Sequence, residues 1–446
     1  MPQSCHGYPV PMESTDLWSA PYAFAPVRGS VSVPGSKSAT NRALVLSALA
    51  NGSSRLSRPL HARDTRLMAD ALRALGTRID EVPTADGIDW VVHPAPLQGP
   101  ANIECGLAGT VMRFVPALAT LASGDITFDG DERAHLRPMR TMIDALRALG
   151  IAIDDGGRGT LPFTMHCSGE VTGDRVQLDA SASSQFVSAL MLAAPGFAKG
   201  CRIEHVGPAI PSMPHLDMTV TMLRDRGVTV DVDTADPTHA SWHVHPGPVQ
   251  ALDCIIEPDL SNAAPFLAAA LVTQGRVTVV DWPMRTTQPG DRLRDLFAAM
   301  GGRVVLDERG CTVSGPQQLL GLHADLRDVG ELTPIIAAVC ALASSPSTLT
   351  GIAHLRGHET DRLAALVTEI NRVGGNAREL PDGIAIEPSP TLHAADVATY
   401  DDHRMATAGA VLGLRIPDVR VHDIATTSKT LPDFDVMWRT LLAGRA

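Results

Sequence analysis

With 446 residues, 44% hydrophobic and 19% charged, the chain has globular composition and is too long for one ordinary core, so it argues against disorder or coiled coil and predicts two or more domains. A formal net charge of −12 argues against a general nucleic-acid or anionic-membrane surface, so any affinity for anions must sit in a local cationic pocket. Seven cysteines (Cys5, Cys105, Cys167, Cys201, Cys254, Cys311 and Cys340), odd in number and without a CxxC pair, fit reduced thiols better than a disulfide framework or a zinc site.

The first 27 residues hold no Lys or Arg, so neither a secretory signal nor an Arg-rich transit peptide is expected. Residues 1–20 read as a flexible leader. No apolar run is long enough to cross a bilayer, and the expected address is the cytoplasm.

In chain order, a first unit opens on PGSKSATNR (34–42), runs through the apolar stretch 41–52 and LHARDT, and ends in an amphipathic phrase closed by Gly76. The second opens on GLAGTVMR, with the apolar stretch 109–124, then ERAHLRP and a phrase ending at Gly150. The third has SASSQF, the stretch 183–200, AIPSMPH and Gly227. PVQALDCIIEP then interrupts the pattern and marks a seam near 249–257. The fourth unit carries EPDLSNA, 261–275 and Gly301; the fifth VGELTP, 331–345, LRGHETDR and Gly374; the sixth YDDHRMA, 403–415, TSKTLPDF and Gly444. These glycines recur roughly every 75 residues, where a helix C-cap belongs. Each unit therefore predicts strand, buried helix, strand, amphipathic helix and further strands. Six copies divide into three and three, giving two domains of triplicated α/β units, with a conventional doubly wound sheet as the competing architecture.

Polar residues that do not fit the core pattern gather at the starts of the buried helices and in the loops entering the amphipathic ones. Helix N-termini carry unpaired N–H groups and a partial positive charge, roughly 0.3–1 kcal/mol each at a surface, so several converging ends form an anion pocket. At any single position a cap is the better reading, as for Ser261 and Asn262. Caps do not explain the cations beside them: Lys37, Arg42, Arg113, Arg137, Arg356, Arg362, Arg404 and Lys429. Lysine occurs only at Lys37, Lys199 and Lys429 among 37 Lys plus Arg, so Lys37 stands out as a point charge that can move a proton. Arginine instead offers phosphate or carboxylate a planar fork. Asp64, Glu331 and Glu359 intrude on the same places, either as ion-pair partners or, with His403, as general acid and base groups.

Other motifs do not hold. GSKS (35–38) lacks the glycine spacing of a phosphate-binding Walker loop, and GGRG (156–159) precedes no helix start and reads as a turn. His354 and His358 have helical metal-ligand spacing, but Arg356 between them and the absence of HExxH make zinc a minor reading.

Taken together, PGSKSATNRAL, LAGTVMRF, HLRPM, SASSQFVSALML, GHETDRL, DDHRMA and TSKTLPDF, in that order from about residue 26 onward, closely resemble the 5-enolpyruvylshikimate-3-phosphate synthase family of enolpyruvyl transferases. The resemblance implies an α/β fold of two domains, each of three βαβαββ units in an inside-out barrel arrangement, with the active site in the cleft between them. The expected domains are 35–252, and 21–34 with 253–446. It implies transfer of the enolpyruvyl group of phosphoenolpyruvate to the 5-hydroxyl of shikimate 3-phosphate. Lys37, Ser38, Arg42, Ser183, Ser184, Gln185, Ser212, Glu331 and His358 are the implied shikimate 3-phosphate ligands. Lys37, Gly109, Arg113, Arg137, Gln185, Arg362, Arg404 and Lys429 are implied for phosphoenolpyruvate. Glu331 is the implied base, and Glu359, with Lys37 or His403, the implied source of the methylene proton.

No cofactor, metal, nucleic acid or membrane partner is implied, and a monomer is expected. The chain departs from the family pattern at His358, where many relatives carry lysine, at Leu107 for asparagine, at His215 for tyrosine, and at Glu331, one methylene longer than the commoner aspartate. Gly109 leaves the room that the herbicide glyphosate uses in sensitive relatives. The competing functions are an enolpyruvyl transferase acting on UDP-N-acetylglucosamine, and a non-catalytic phosphometabolite-binding protein. The first is disfavoured by Lys37-Ser38 in place of a lysine-asparagine pair, the second by the presence of Lys37, Glu331 and Glu359 together.

Overall fold

Each amphipathic phrase ends where its sequence says, because the closing glycine takes a left-handed conformation that stops the helix: φ is +102° at Gly76, +98° at Gly150, +79° at Gly227, +95° at Gly301, +80° at Gly374 and +66° at Gly444. The computed structural model describes residues 17–85 and 87–444. The expected leader lies outside the described residues up to 16. Leu17–Ser19 form a strand antiparallel to Arg420–His422, with Trp18 buried beneath it, so the end of the expected leader belongs to a sheet.

The helices are α1 (Lys37–Ala48), α2 (Arg63–Ala74), α3 (Gly109–Ala119), α4 (Arg140–Ala148), α5 (Gln185–Ala193), α6 (Met213–Asp225), α7 (Ala264–Val272), α8 (Leu293–Ala299), α9 (Thr333–Ala341), α10 (Arg362–Arg372), α11 (His403–Gly413) and α12 (Phe434–Leu442). They alternate in character as the units predict. Every residue of α7 and α9 is buried, whereas α4 buries only Met142, Ile143, Ala145 and Leu146. The apolar helices meet one another pairwise, α1 with α3 and α5, and α7 with α9 and α11. Several boundaries differ from expectation, α3 and α9 ending at Ala119 and Ala341, short of the apolar stretches 109–124 and 331–345, among them. The first buried helix starts at Lys37, capped by Ser36, and α5 stops at Ala193 because Ala194–Gly196, with Pro195, tighten into a short 3-10 turn.

Among the described residues, five four-stranded sheets and one three-stranded sheet surround these helices. In the second unit, Ala101–Glu104 lies parallel to Ser123–Asp129, which pairs antiparallel with Phe163–Ser168, and Ala152–Asp154 forms the far edge. The third and fifth units repeat this order. The first and fourth complete it with a strand from elsewhere in the chain. Cys254–Ile255 pairs parallel with Leu56–Ser57, and Arg28–Val31 pairs parallel with Arg276–Val279.

Two hydrophobic cores result. One takes buried residues from Ala43 to Ile256, the other from Trp18 to Val33 and from Leu260 to Leu441. The chain therefore leaves the first core after Ile256, slightly beyond the expected boundary at 252. The two crossings lie side by side, with Ser36 N donating to Glu257 O at 2.8 Å and Asp259 N to Pro34 O at 2.8 Å.

Candidate active site

Residues that start α1, α3, α5, α6, α10 and α11 line one cleft between the cores, and Asp259, Ser261 and Glu331, just ahead of α7 and α9, complete its wall. Local chemistry sets these starts. The Ser36 hydroxyl accepts from Ala39 N at 3.3 Å, the Asp361 carboxylate from Leu363 N and Ala364 N at 3.1 Å, and the Asp402 carboxylate from Arg404 N at 2.9 Å. The cleft holds two adjoining cavities of ≈ 130 and ≈ 270 Å³, which share Lys37, Ser38, Gln185, His358 and Glu359.

Cations without carboxylate partners dominate one side. Arg113 and Arg137 are 3% and 9% exposed, and the Nε of each is buried without a partner. Their hydrogen bonds to oxygen go to carbonyls, Arg113 Nη1 to Gly109 O at 3.3 Å and Arg137 Nη1 to Leu107 O at 3.0 Å. A buried guanidinium without a carboxylate in hydrogen-bond contact is unfavourable, and burial with the nearby Arg137 charge, which Glu359 only partly offsets, pushes Arg113 well below the usual arginine range. An anion between the two would supply the missing charge. Gly109 keeps that space open: a Cβ there would lie 3.1 Å from Arg137 Nη2 and 3.2 Å from both Arg113 Nη1 and Gln185 Oε1.

Arg42 is held differently. Its Nε donates to Thr219 Oγ1 at 2.8 Å, and its other nitrogens reach Ser188 Oγ, Ser38 O and His215 O. It too lacks a carboxylate, and burial pushes it down to about 9. Lys37 Nζ lies 3.1 Å from Asp64 Oδ2, so Asp64 is its ion-pair partner.

On the opposite wall Arg362, 2% exposed, donates from Nε to Asp402 Oδ2 at 2.7 Å and from Nη2 to Glu359 Oε2 at 2.9 Å. Burial would raise the Glu359 carboxyl, but Arg362 and then Arg137 outweigh it and hold it well below the usual carboxylate range. Glu331 goes the other way. Burial raises it, Arg404 only partly offsets the rise, and Ser261 Oγ donates to its Oε1 at 3.5 Å. His403 and His358 are driven well below the usual imidazole value by burial, then by Arg404 and Arg362 respectively. His215 is pushed down to about 3 by burial and then by Arg42. The site thus sets two carboxylic acids apart among neutral imidazoles and unpaired guanidiniums, an arrangement suited to proton transfer on an anionic ligand.

Residues 21–438 match the family model for EPSP synthase (3-phosphoshikimate 1-carboxyvinyltransferase). The chain belongs to the EPSP synthase family. It is 54% identical over 437 residues to the 3-phosphoshikimate 1-carboxyvinyltransferase of Kocuria rhizophila, covering 96% of this chain and 97% of that protein. Two solved EPSP synthase structures from Acinetobacter baumannii share the fold at 24% identity. The TM-scores are 0.78, covering 96% of this chain and 98% of the other, and 0.76, covering 95% and 97%. The arrangement of six small sheets in two α/β domains is that of the EPSP synthases.

In this EPSP synthase framework nearly every residue singled out in the sequence reaches the cleft. Lys37, Ser38, Ser183, Gln185, His358 and Glu359 border both cavities. Arg42, Ser184, Ser212, Glu331, Arg362, His403 and Arg404 line the smaller, and Gly109, Arg113 and Arg137 the larger. Lys429 lines neither; its Nζ donates to Asp401 O at 2.7 Å behind the start of α11. Arg356 pairs with Asp361 and Glu379 away from the cleft.

Ser261, expected as an ordinary cap, stands on the wall beside Glu331, while Asn262 donates its side chain to Thr430 O. Asp259, which nothing in the sequence marks beyond its place in EPDLSNA, accepts on Oδ2 from Lys37 N at 3.1 Å across the seam. Gln288 lines the cleft and had no sequence signal. His354 and His358 face the cleft 5.7 Å apart, and neither joins a three-ligand group among the described residues.

Proposed function

We propose that this EPSP synthase family member transfers the enolpyruvyl group of phosphoenolpyruvate to the 5-hydroxyl of shikimate 3-phosphate, as a 3-phosphoshikimate 1-carboxyvinyltransferase of the shikimate pathway leading to aromatic amino acids. The observation that carries it is the pair Arg113 and Arg137, buried without carboxylates, facing Glu331 and Glu359 across a cleft in a chain of this family.

In this reading phosphoenolpyruvate lies against Arg113, Arg137 and Lys37 with Arg362 and Arg404 opposite, and Gly109 gives it room. Shikimate 3-phosphate lies against Ser38, Arg42, Ser183, Ser184 and Ser212, with Gln185 between the ligands. The 5-hydroxyl oxygen bonds to the enol carbon while its proton passes to Glu331, whose raised carboxyl makes it a stronger base than an ordinary glutamate. The methylene carbon gains a proton, and the adduct then loses that methyl proton and phosphate to restore the double bond. Glu359, held as a carboxylate by Arg362 and Arg137, fits removal of the methyl proton directly. It serves as the donor only once substrate anions offset those two cations; Lys37 is the other candidate for the same step, and His403, neutral here, joins them only if those anions raise it as well. The cationic wall stabilises the charge of the adduct.

Both walls of the site come from one chain, which supports action as a monomer. Of the described cysteines, which are all free, five are buried, consistent with a cytoplasmic enzyme. Among the described residues no helix is long and apolar enough to cross a membrane. The test is phosphate release from phosphoenolpyruvate with and without shikimate 3-phosphate and with no metal added. Release that requires shikimate 3-phosphate is expected; its absence refutes the assignment.

A further inference from the structure

Away from the cleft, histidine and aspartate pair repeatedly on the outer faces of the first domain: His93 with Asp80 at 3.2 Å, His166 with Asp125 at 2.8 Å and His135 with Asp129 at 2.7 Å. One place brings in a second imidazole. His243 lies on the strand Ser241–Val244 and His245 follows two residues on, so both leave the solvent side of the sheet while Trp242 and Val244 point into the core. Asp231, on the edge strand Val230–Asp233, is the register partner of His243. His245 Nε2 is 2.7 Å and His243 Nδ1 3.7 Å from Asp231 Oδ2, and the two rings are 4.1 Å apart. Donor atoms from all three lie within 4.8 Å of one another, and no other trio of His, Cys, Asp or Glu among the described residues meets that condition.

We propose that Asp231, His243 and His245 form a surface site for a borderline divalent transition-metal cation, with Zn²⁺ as the probe. Two imidazoles and a carboxylate are the donor set such ions take, with water in the remaining position. Tetrahedral bonds of about 2.0–2.1 Å place donor atoms about 3.3 Å apart, so one contact opens and the other closes by about half an ångström. The side chains are 67%, 34% and 39% exposed and free to rotate that far. The nearby cations make their hydrogen bonds elsewhere: Arg202, register partner of His243 on its other side, donates to Glu204, and Arg224, whose charge reaches Asp231, donates to Val230 O. None of the three ligands lines the cleft, so the ion would act as a cross-strand staple at a sheet edge and take no part in enolpyruvyl transfer.

The experiment is calorimetric titration of the full chain with ZnCl₂, wild type against His243→Asn/His245→Asn, with circular dichroism and zinc-free activity as controls for folding. Wild type should bind one more equivalent than the double variant. Asp231→Asn, which keeps both imidazoles, should bind that equivalent more weakly, by about 10-fold or more. Matching isotherms for wild type and the double variant overturn the site, even if zinc binds elsewhere; so does an Asp231→Asn variant with wild-type affinity.

Discussion

Glu331 and Glu359 begin with the same side-chain chemistry and acquire opposite tendencies. Burial dominates at Glu331, whereas at Glu359 the charges of Arg362 and Arg137 win. A base must be ionised to work, so activity should fall with falling pH through the raised Glu331 value. The acid limb of kcat/KM is then expected on the neutral side of the ordinary glutamate range. Glu331→Gln should abolish that limb and reduce turnover by about 10²–10⁴-fold with little change in shikimate 3-phosphate affinity, as steady-state rates across pH and a binding titration would show. An unchanged profile removes Glu331 from the role. The identities of these glutamates were legible from GHETDRL and VGELTP. Their charge states were not, because Arg137 lies in the other domain and only folding sets it near Glu359.

At the scale of elements, the link into α11 is under strain. Tyr400 and Asp401 adopt φ of +57° and +55°, a conformation that costs roughly 1–3 kcal/mol each outside glycine. Contacts on three sides hold it: Tyr400 OH donates to the buried Glu369 of α10 at 2.7 Å, Lys429 Nζ to Asp401 O at 2.7 Å, and Arg133 Nη1, from the opposite domain, to Tyr400 O at 2.6 Å with Asp401 Oδ2 3.0 Å away. The next residues are Asp402, His403 and Arg404, so Arg133 positions the start of α11 from across the cleft. Arg133→Ala is expected to lower kcat/KM for phosphoenolpyruvate by about 10-fold, the loss of one charge-assisted hydrogen bond, while shikimate 3-phosphate affinity stays near wild type. Arg133→Lys should recover part of the loss. Equal kcat/KM in wild type and Arg133→Ala would rule the contact out as a positioning device. Sequence periodicity located every buried helix and the closing glycine of every amphipathic one, since burial pattern and glycine caps are local, although α3 and α5 stop well short of the apolar stretches that announced them. It did not find the strand Leu17–Ser19, whose partner at Arg420–His422 lies at the far end of the chain.

For the molecule as a whole, folding concentrates unpaired cations in one cleft of a chain whose formal charge is −12. Arg42, Arg113 and Arg137 are buried there without carboxylate partners, and an anion that binds the folded state stabilises it by mass action. Thermal unfolding in phosphate is therefore expected at a higher midpoint than in chloride of equal ionic strength, with the difference reduced in Arg113→Ala; equal midpoints for wild type in the two salts would refute this.

By itself the sequence determined the six units and the pairing of buried with amphipathic helices, because helix periodicity and capping are properties of neighbouring residues, and its ordered motifs, through their resemblance to the family, marked most residues of the cleft. Only the tertiary structure decided that Cys254–Ile255 and Arg28–Val31 complete sheets distant in the chain, that Asp259 and Gln288 join the wall, that Lys429 stands behind it, and that two glutamates carry opposite shifts. Strand exchange and electrostatic environment depend on which distant groups come within a few ångströms, and that is settled when the two cores close on each other.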